Sequence, residues 1–165
     1  MGMAARATSL ALLYEQYDHD RLLKWGMVMD DQCVLCSAAV ETHEHLFFQC
    51  SFSVQLWKHM QRDLQPQCPF DGLLQIMDWM IEVDRGTQFS CLLSNVALAA
   101  LVYHVWGERN CRIFKSHGCN VQQLESKVRT DIRACVSSWR SLKKSGSNIA
   151  LCSLWNIPVR VFEST

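Results

Sequence analysis

The sequence has 165 residues, of which 49% are hydrophobic and 19% are charged, and its formal net charge is zero. This composition is typical of a globular protein and excludes a largely disordered chain. The length suffices for one domain with its own core, or for a small domain with an extension.

The zero net charge hides a difference between the two halves of the chain. Residues 1–85 contain 6 Lys/Arg and 12 Asp/Glu, a balance of −6, whereas residues 86–165 contain 10 and 4, a balance of +6. Such asymmetry indicates separate tasks or separate partners for the two halves.

The nine cysteines cannot all pair, because their number is odd. We expect no signal peptide, since the apolar run at residues 10–13 is short and acidic residues follow it. A reduced, intracellular protein is therefore expected, in the nucleus or the cytoplasm. Three cysteines fit a metal pattern, and the other six are expected to be mostly small buried residues of helices.

The predicted elements are all helical, since no alternating apolar and polar run is long enough for a strand. A first helix, capped by Thr8 or Ser9, ends at Gly26, and an irregular segment follows it. The predicted helices cover residues 10–25, 52–64, 73–83, 87–115 and 121–144. Residues 89–106 are apolar enough to resemble a membrane span, but polar interruptions favour a buried core helix.

We predict an all-α fold, a small helical domain with an irregular CCHC zinc loop near its N-terminus, because Cys33, Cys36, His45 and Cys50 are the right residue types to hold one Zn²⁺. Residues 1–64 would hold the first helix, the zinc-binding loop and the following helix. Residues 65–144 would form a helical extension packed on this unit. Residues 145–165 would be a C-terminal tail, because Ser145-Gly146-Ser147 loosens the chain and Pro158 argues against a further helix.

The strongest chemical motif is Cys33-x2-Cys36-x8-His45-x4-Cys50. Three thiolates and one imidazole satisfy tetrahedral Zn²⁺ and leave no position for water, so one structural zinc ion is predicted. The loop has few apolar residues, and zinc would therefore contribute much of its folding free energy. His43 is a rival ligand, but its x6 spacing to Cys50 is less usual for a compact site.

Three blocks of sequence resemble a known family. They are Arg21-Leu-Leu-Lys-Trp-Gly26, the Cys/His block from Cys33 to Cys50 with Glu41-Thr42 and His45-Leu-Phe-Phe, and Val105-Trp-Gly-Glu-Arg-Asn110 with Arg112-Ile-Phe114. The blocks are similar to the zinc-binding region that follows the polymerase in reverse transcriptases of plant LINE-type (non-LTR) retrotransposons. This resemblance covers about residues 20–115 and implies that Cys33, Cys36, His45 and Cys50 are the zinc ligands.

The sequence departs from the family pattern upstream, where Gln16 to Asp20 replace the usual lead-in. A chain that starts at Met1 is therefore expected to be a shortened or re-initiated product of such an element. No enzyme activity is predicted, because polymerase, endonuclease and ribonuclease H motifs are lacking. Val28-Met-Asp-Asp31 differs by one residue from the reverse transcriptase box, but it lacks the third carboxylate and the palm sheet that two-metal catalysis needs.

Two functions remain open for a non-catalytic zinc module. One is weak, non-specific binding of RNA or DNA through a basic stripe on the last predicted helix, formed by Arg129, Arg133, Arg140 and Lys144. The alternative is a structural or protein-interaction module, with a retroelement reverse transcriptase as a candidate partner, or a non-functional relic. The zinc loop is an unsuitable phosphate site, because residues 26–50 contain four carboxylates and no Lys or Arg. No small-molecule substrate or membrane partner is expected.

Overall fold

The structure is a computed structural model in which residues 32–64, 75–76, 78–79 and 88–163 are described. These residues form four α-helices, α1 (Ser51–Gln61), α2 (Phe89–Lys115), α3 (Val121–Ser137) and α4 (Gly146–Leu154). A π-helical turn, His45–Gln49, precedes α1, and a 3₁₀ turn, Val159–Phe162, follows α4.

The predicted all-α class is confirmed for this part of the chain, whose only ladder-like contact is an isolated antiparallel bridge between Gln32 and Val40. The predicted helix at residues 10–25 and the Val28–Asp31 box lie outside the described residues. Of the predicted helix at residues 73–83, the described positions 75–76 and 78–79 are helical. The three-part domain division stays a prediction.

Helix α1 buries one face and begins directly after the last cysteine of the metal motif. Its N-cap is Cys50. Leu56, Trp57 and Met60 are fully buried at helical spacing. The Ser53 hydroxyl donates a hydrogen bond of 2.6 Å to the carbonyl of Leu46, which joins α1 to the preceding turn.

Helix α2 is the long central helix and packs most extensively on α3. From Ser94 to Arg109, successive buried residues are one or three positions apart, which indicates a helix covered on one side. By length and mean hydropathy (1.6) it could cross a membrane, but half of the apolar window is buried within the fold. It ends at Ser116, whose left-handed backbone (φ 49°) stops the helix.

Helix α3 begins with a complete capping box. The Asn120 side chain accepts from the backbone N–H of Gln123, and the Gln123 side chain accepts from the backbone N–H of Asn120. These two bonds satisfy donors that the first turn of a helix leaves unpaired. Helix α3 therefore starts as predicted.

The predicted end of this helix, at Lys144, is wrong. Helix α3 ends at Ser137, because the following chain finds tertiary partners that a continued helix would forbid. Trp139 packs edge-on against Phe89, with ring centroids 6.3 Å apart. The backbone N–H of Leu142 donates to the carbonyl of Val161 at 2.9 Å, after a left-handed turn at Ser141 (φ 59°).

The expectation that no helix follows Lys144 is also wrong. Ser145 accepts a hydrogen bond from the backbone N–H of Asn148 and caps α4. Pro158 lies after this helix, where it removes no helical hydrogen bond. Trp155 is 2% exposed, and its ring N–H donates to the carbonyl of Asp63 at 2.8 Å, so this segment completes the core beside α1.

Candidate metal centre

The first two cysteines of the motif lie on a tight turn. The backbone N–H of Cys33 donates to the carbonyl of Ala39, and the N–H of Ser37 donates back to the carbonyl of Cys33 at 2.7 Å. Ser37 has a left-handed backbone (φ 53°), which reverses the chain directly after Cys36. Both thiols are thereby presented from the same short loop.

The second pair of donors is brought together by the π-helical turn. Residues five apart in an α-helix differ in direction by about 140°, so His45 and Cys50 would diverge on one. In the wider π turn, the backbone N–H of Cys50 donates to the carbonyl of His45 at 2.6 Å. The Thr42 hydroxyl accepts from the N–H of His45 at 3.0 Å and fixes the start of the turn.

The four predicted ligands converge on one point. One donor atom from each of Cys33, Cys36, His45 and Cys50 lies within 4.8 Å of all the others. The sulfurs of Cys33 and Cys50 are 3.8 Å apart, and the sulfur of Cys36 is 3.2 Å from Nε2 of His45. Two thiolates bound tetrahedrally at about 2.3 Å from zinc are about 3.8 Å apart, so the donor set fits one Zn²⁺.

The electrostatics of the cysteine pair also suit a cation. A hydrogen bond from Cys33, the largest cause, and backbone amides of Ser53 and Phe52 lower the pKa of the Cys50 thiol to about 5, against the effect of burial. The same contact with Cys50, followed by burial, raises the pKa of Cys33, while amides of Cys36 and Leu35 act in the opposite direction. Zinc binds cysteine as the thiolate, so metal binding would displace the thiol protons of this donor set.

The structure separates the two candidate histidines. His45 is part of the donor cluster, whereas His43 is not among the residues whose donor atoms converge. Cys33 and Cys50 are fully buried and His45 is nearly so. A site of this kind, with four protein donors and little access, leaves no open coordination position.

Sequence reasoning missed a pair of arginines that connects the zinc loop to α2. Arg109 is 1% exposed and pairs at 2.7 Å with the buried carboxylate of Glu41. The other carboxylate oxygen of Glu41 accepts from the backbone N–H of Val34 at 3.4 Å. The guanidinium of Arg109 also stacks on Trp106, 4.9 Å from the ring centroid. Arg109 and Arg112, named the arginine clamp from here on, lie three residues apart and so on one helix face.

Arg112, the second residue of the clamp, contacts both halves of the metal loop. Its Nη1 donates to the carbonyls of Val34 and Leu35, at 3.3 and 3.2 Å. Its guanidinium carbon lies 4.8 Å from the ring centroid of Phe52, two residues after Cys50. The sequence signal for these two arginines was the Glu108-Arg109-Asn110 block with Arg112, which stood out only because it resembles the family.

A second anchor holds Arg112 from the opposite side. Glu108, 4% exposed, accepts from Nε of Arg112 at 2.9 Å and from the backbone N–H of Cys119 at 2.7 Å. Nη2 of Arg112 donates to the carbonyl of Cys119. A Cβ on Gly118 would lie 2.8 Å from the Glu108 carboxylate, so only glycine allows this close approach.

The predicted basic stripe is not a continuous feature of the structure. Arg129 pairs with Asp63 at 2.6 Å and with Glu125 at 2.9 Å, so its charge is already compensated. Arg140 and Lys144 lie beyond the end of α3, and the register with Arg133 that a longer helix would give is lost. That these residues bind nucleic acid stays a prediction.

The aromatic residues of the metal region belong to the core. Trp57 is fully buried, and Phe47 and Phe48 are 8% and 7% exposed, so none of them offers a stacking platform for a base. The expectation for the non-ligand cysteines holds only in part. Cys91 and Cys152 are buried, Cys111 and Cys119 are half-buried, and Cys135 is exposed, while Cys68 lies outside the described residues.

Residues 8–57 match the family model described as zinc-binding in reverse transcriptase, and this stretch contains the whole Cys/His cluster. No curated protein and no solved structure matches the chain. The matched stretch spans less than a third of the 165 residues, and the four cysteine and histidine donors within it are placed to hold one Zn²⁺.

Proposed function

We propose that this protein is a non-catalytic zinc-binding domain in which a single ion has a structural role, attaching residues 32–50 to the helices. The observation that carries the proposal is the convergence of four soft or borderline donors beside the N-terminus of α1. The origin we propose is the zinc-binding region of a LINE-type retrotransposon reverse transcriptase, supported by the family match and by the Trp106 to Phe114 block. The three thiolate ligands and the odd number of cysteines favour a reducing, intracellular location.

A structural role is favoured over a catalytic one by the coordination chemistry. A catalytic zinc ion keeps one position open for water or substrate, whereas three cysteines and one histidine fill all four positions. The ligands also lie against core residues of α1 and α2, so the ion would hold the loop against a packed core. Zinc binding and folding of the loop are therefore expected to be one event.

The test is metal content and stability of the full chain purified without chelator. We expect about one equivalent of zinc per chain, as a closed four-ligand site binds one ion. Cys36→Ser should lower the zinc content and the thermal stability together, because the site loses one thiolate. Added chelator should reproduce this loss of stability in the parent chain.

His43→Ala is the matched control, because His43 lies two residues from the ligand His45 but outside the donor cluster. This variant should keep the parent's zinc content. Full zinc content in Cys36→Ser, combined with an empty site in His43→Ala, would show that the ligand assignment is wrong.

A second candidate function, weak and sequence-independent binding of RNA or DNA, is favoured by one observation. Arg133 and Arg140 donate only to backbone carbonyls and to the Thr130 hydroxyl among the described residues, so carboxylates do not neutralise them there. Lys144 is exposed beside them in sequence. Phosphates are the expected partners of such uncompensated cations. If this binding is absent, the module is a structural or protein-interaction unit, or a relic.

A further inference from the structure

The turn that carries Cys33 and Cys36 is held from outside by a residue that is distant in sequence. Arg112 lies 77 and 78 positions away from the two residues whose carbonyls it contacts. Those residues, Val34 and Leu35, are the two that separate the zinc-binding cysteines. Any displacement of Arg112 therefore acts directly on the ligand turn.

The direction of these contacts determines which side of each peptide faces the metal. A trans peptide is planar, and its N–H points opposite to its carbonyl. Since the carbonyls of Val34 and Leu35 point to Arg112, the N–H groups of the same two peptides, which belong to Leu35 and Cys36, point away from it. The amides of Leu35 and Cys36 are the backbone hydrogen-bond donors to the sulfur of Cys33.

Arg112 is itself held in a fixed orientation. Its three nitrogens are all used: Nε donates to Glu108, Nη1 to the ligand turn and Nη2 to the carbonyl of Cys119. The guanidinium of Arg112 also stacks on the ring of Phe52, which helps to hold the guanidinium plane in place. A planar fork with fixed donors can orient two peptides at once, which a lysine ammonium cannot do.

We propose that Arg112 is a positioning residue for the metal centre, one that holds the two peptides of the Cys33–Cys36 turn with their amides toward the Cys33 sulfur and thereby strengthens zinc binding. The inference rests on the proposed structural zinc site. A positive charge on the carbonyl side polarises each peptide, so its N–H becomes a better donor to the thiolate. Outer residues of this kind typically change metal affinity by about ten- to a hundredfold.

The experiment compares two substitutions of Arg112 with a matched substitution elsewhere in the full chain. Arg129→Met is the control, because Arg112 and Arg129 are both 24% exposed, both pair with carboxylates and both stack on an aromatic ring. Arg129 contacts no residue of the zinc loop among its described partners. Both methionine variants lose an arginine anchor, but only one of them loses contact with the metal turn.

Zinc dissociation constants measured by chelator competition should separate the variants. Arg112→Met should bind zinc about ten- to a hundredfold more weakly than the parent, and Arg112→Lys should lie between them. Arg129→Met should keep the parent's dissociation constant, even if its melting temperature falls. Arg112→Lys keeps a cation beside Glu108. If Arg112→Met does not fold, the zinc dissociation constant of Arg112→Lys tests the proposal.

A spectroscopic measurement distinguishes positioning from general loss of stability. With a magnetic cadmium isotope in the site, the amide protons of Leu35 and Cys36 should couple to the metal through the sulfur in the parent and in Arg129→Met. This coupling should weaken in folded, metal-saturated Arg112→Lys. Parent-like coupling and a parent-like zinc dissociation constant in Arg112→Lys and Arg112→Met would overturn the inference. A parent chain that binds no zinc would overturn the proposed function as well.

Discussion

Glu41 and Arg109, which are 5% and 1% exposed, form a buried ion pair in the described chain. Burying two charges is costly, and the pair is tolerated because the guanidinium also stacks on Trp106 and the carboxylate also accepts from Val34. The pair links the loop that carries the first ligands to the central helix α2. Loss of this ion pair should therefore lower the stability of the whole domain.

Glu41→Ala should lower the free energy of unfolding by about 3–5 kcal/mol, because it leaves the Arg109 guanidinium buried without its carboxylate. The measurement is urea denaturation at saturating zinc, which keeps the metal contribution constant. Asp131→Ala is the control, since Asp131 is 58% exposed and pairs with His104 at the surface. That substitution should cost no more than about 1 kcal/mol. Equal losses in the two variants would contradict the importance of the buried pair.

Secondary-structure elements explain how the spacing of His45 and Cys50 brings both residues to the metal site. Four residues separate His45 from Cys50, a spacing that an ordinary α-helix would not bring to one face. The π-helical turn solves this by adding one residue to the turn, and α1 then starts at once with Cys50 as its N-cap. The positive end of α1 favours a thiolate at that place. The turn and the helix together act as a ligand-presenting element.

The contribution of the α3 capping box to stability can be tested by substituting Asn120. Asn120→Ala should lower the free energy of unfolding by about 1 kcal/mol, because the N-terminal amides of α3 lose a side-chain acceptor. Asn120→Asp should retain the cap and interact favourably with the helix dipole. Thermal unfolding followed by circular dichroism compares the two variants. An alanine variant as stable as the parent would show that the cap contributes nothing to α3.

The charge distribution is a property of the whole molecule. Residues 86–165 carry a balance of +6, but the structure shows that part of this charge is used internally: Arg109 and Arg112 hold the metal loop, and Arg129 joins α3 to Asp63. The cations left for an external partner are fewer than the sequence indicates. Any nucleic-acid binding should therefore be weak.

Reversing the charges of Arg133 and Arg140 to Glu should abolish binding of labelled RNA or DNA and leave zinc content unchanged. With two or three phosphate contacts, the parent's affinity should fall by about ten- to fortyfold between about 50 and 200 mM salt. Fluorescence anisotropy across a salt series measures both effects.

The control for this experiment is the double reversal of Lys127 and Arg160, two exposed cations elsewhere on the chain. It changes the net charge equally and should weaken binding less. If both double variants bind as the parent does, Arg133 and Arg140 are only solvated surface residues. An equal loss in the two variants would assign binding to net charge rather than to a site.

The helical class, the four metal-binding donors and most helix starts could be predicted from the sequence alone. Each of these follows from local chemistry: a Cys-x2-Cys turn, an N-cap such as Asn120, or apolar residues at helical spacing. Local patterns are visible in sequence because the interacting groups are a few positions apart.

Three features depend on tertiary contacts and could not be predicted from the sequence. They are the end of α3 at Ser137, the formation of α4, and the contacts of Arg109 and Arg112 with the metal loop. Helical periodicity continues through Trp139 and Leu142, and their apolar side chains would fit a longer helix equally well. The outcome depends on Phe89 and Val161, which offer these two residues partners from distant parts of the chain. In the same way, Arg112 meets the carbonyls of Val34 and Leu35 only because α2 packs beside the metal loop. A sequence pattern contains no record of such contacts, since their energy depends on packing between residues that are far apart along the chain.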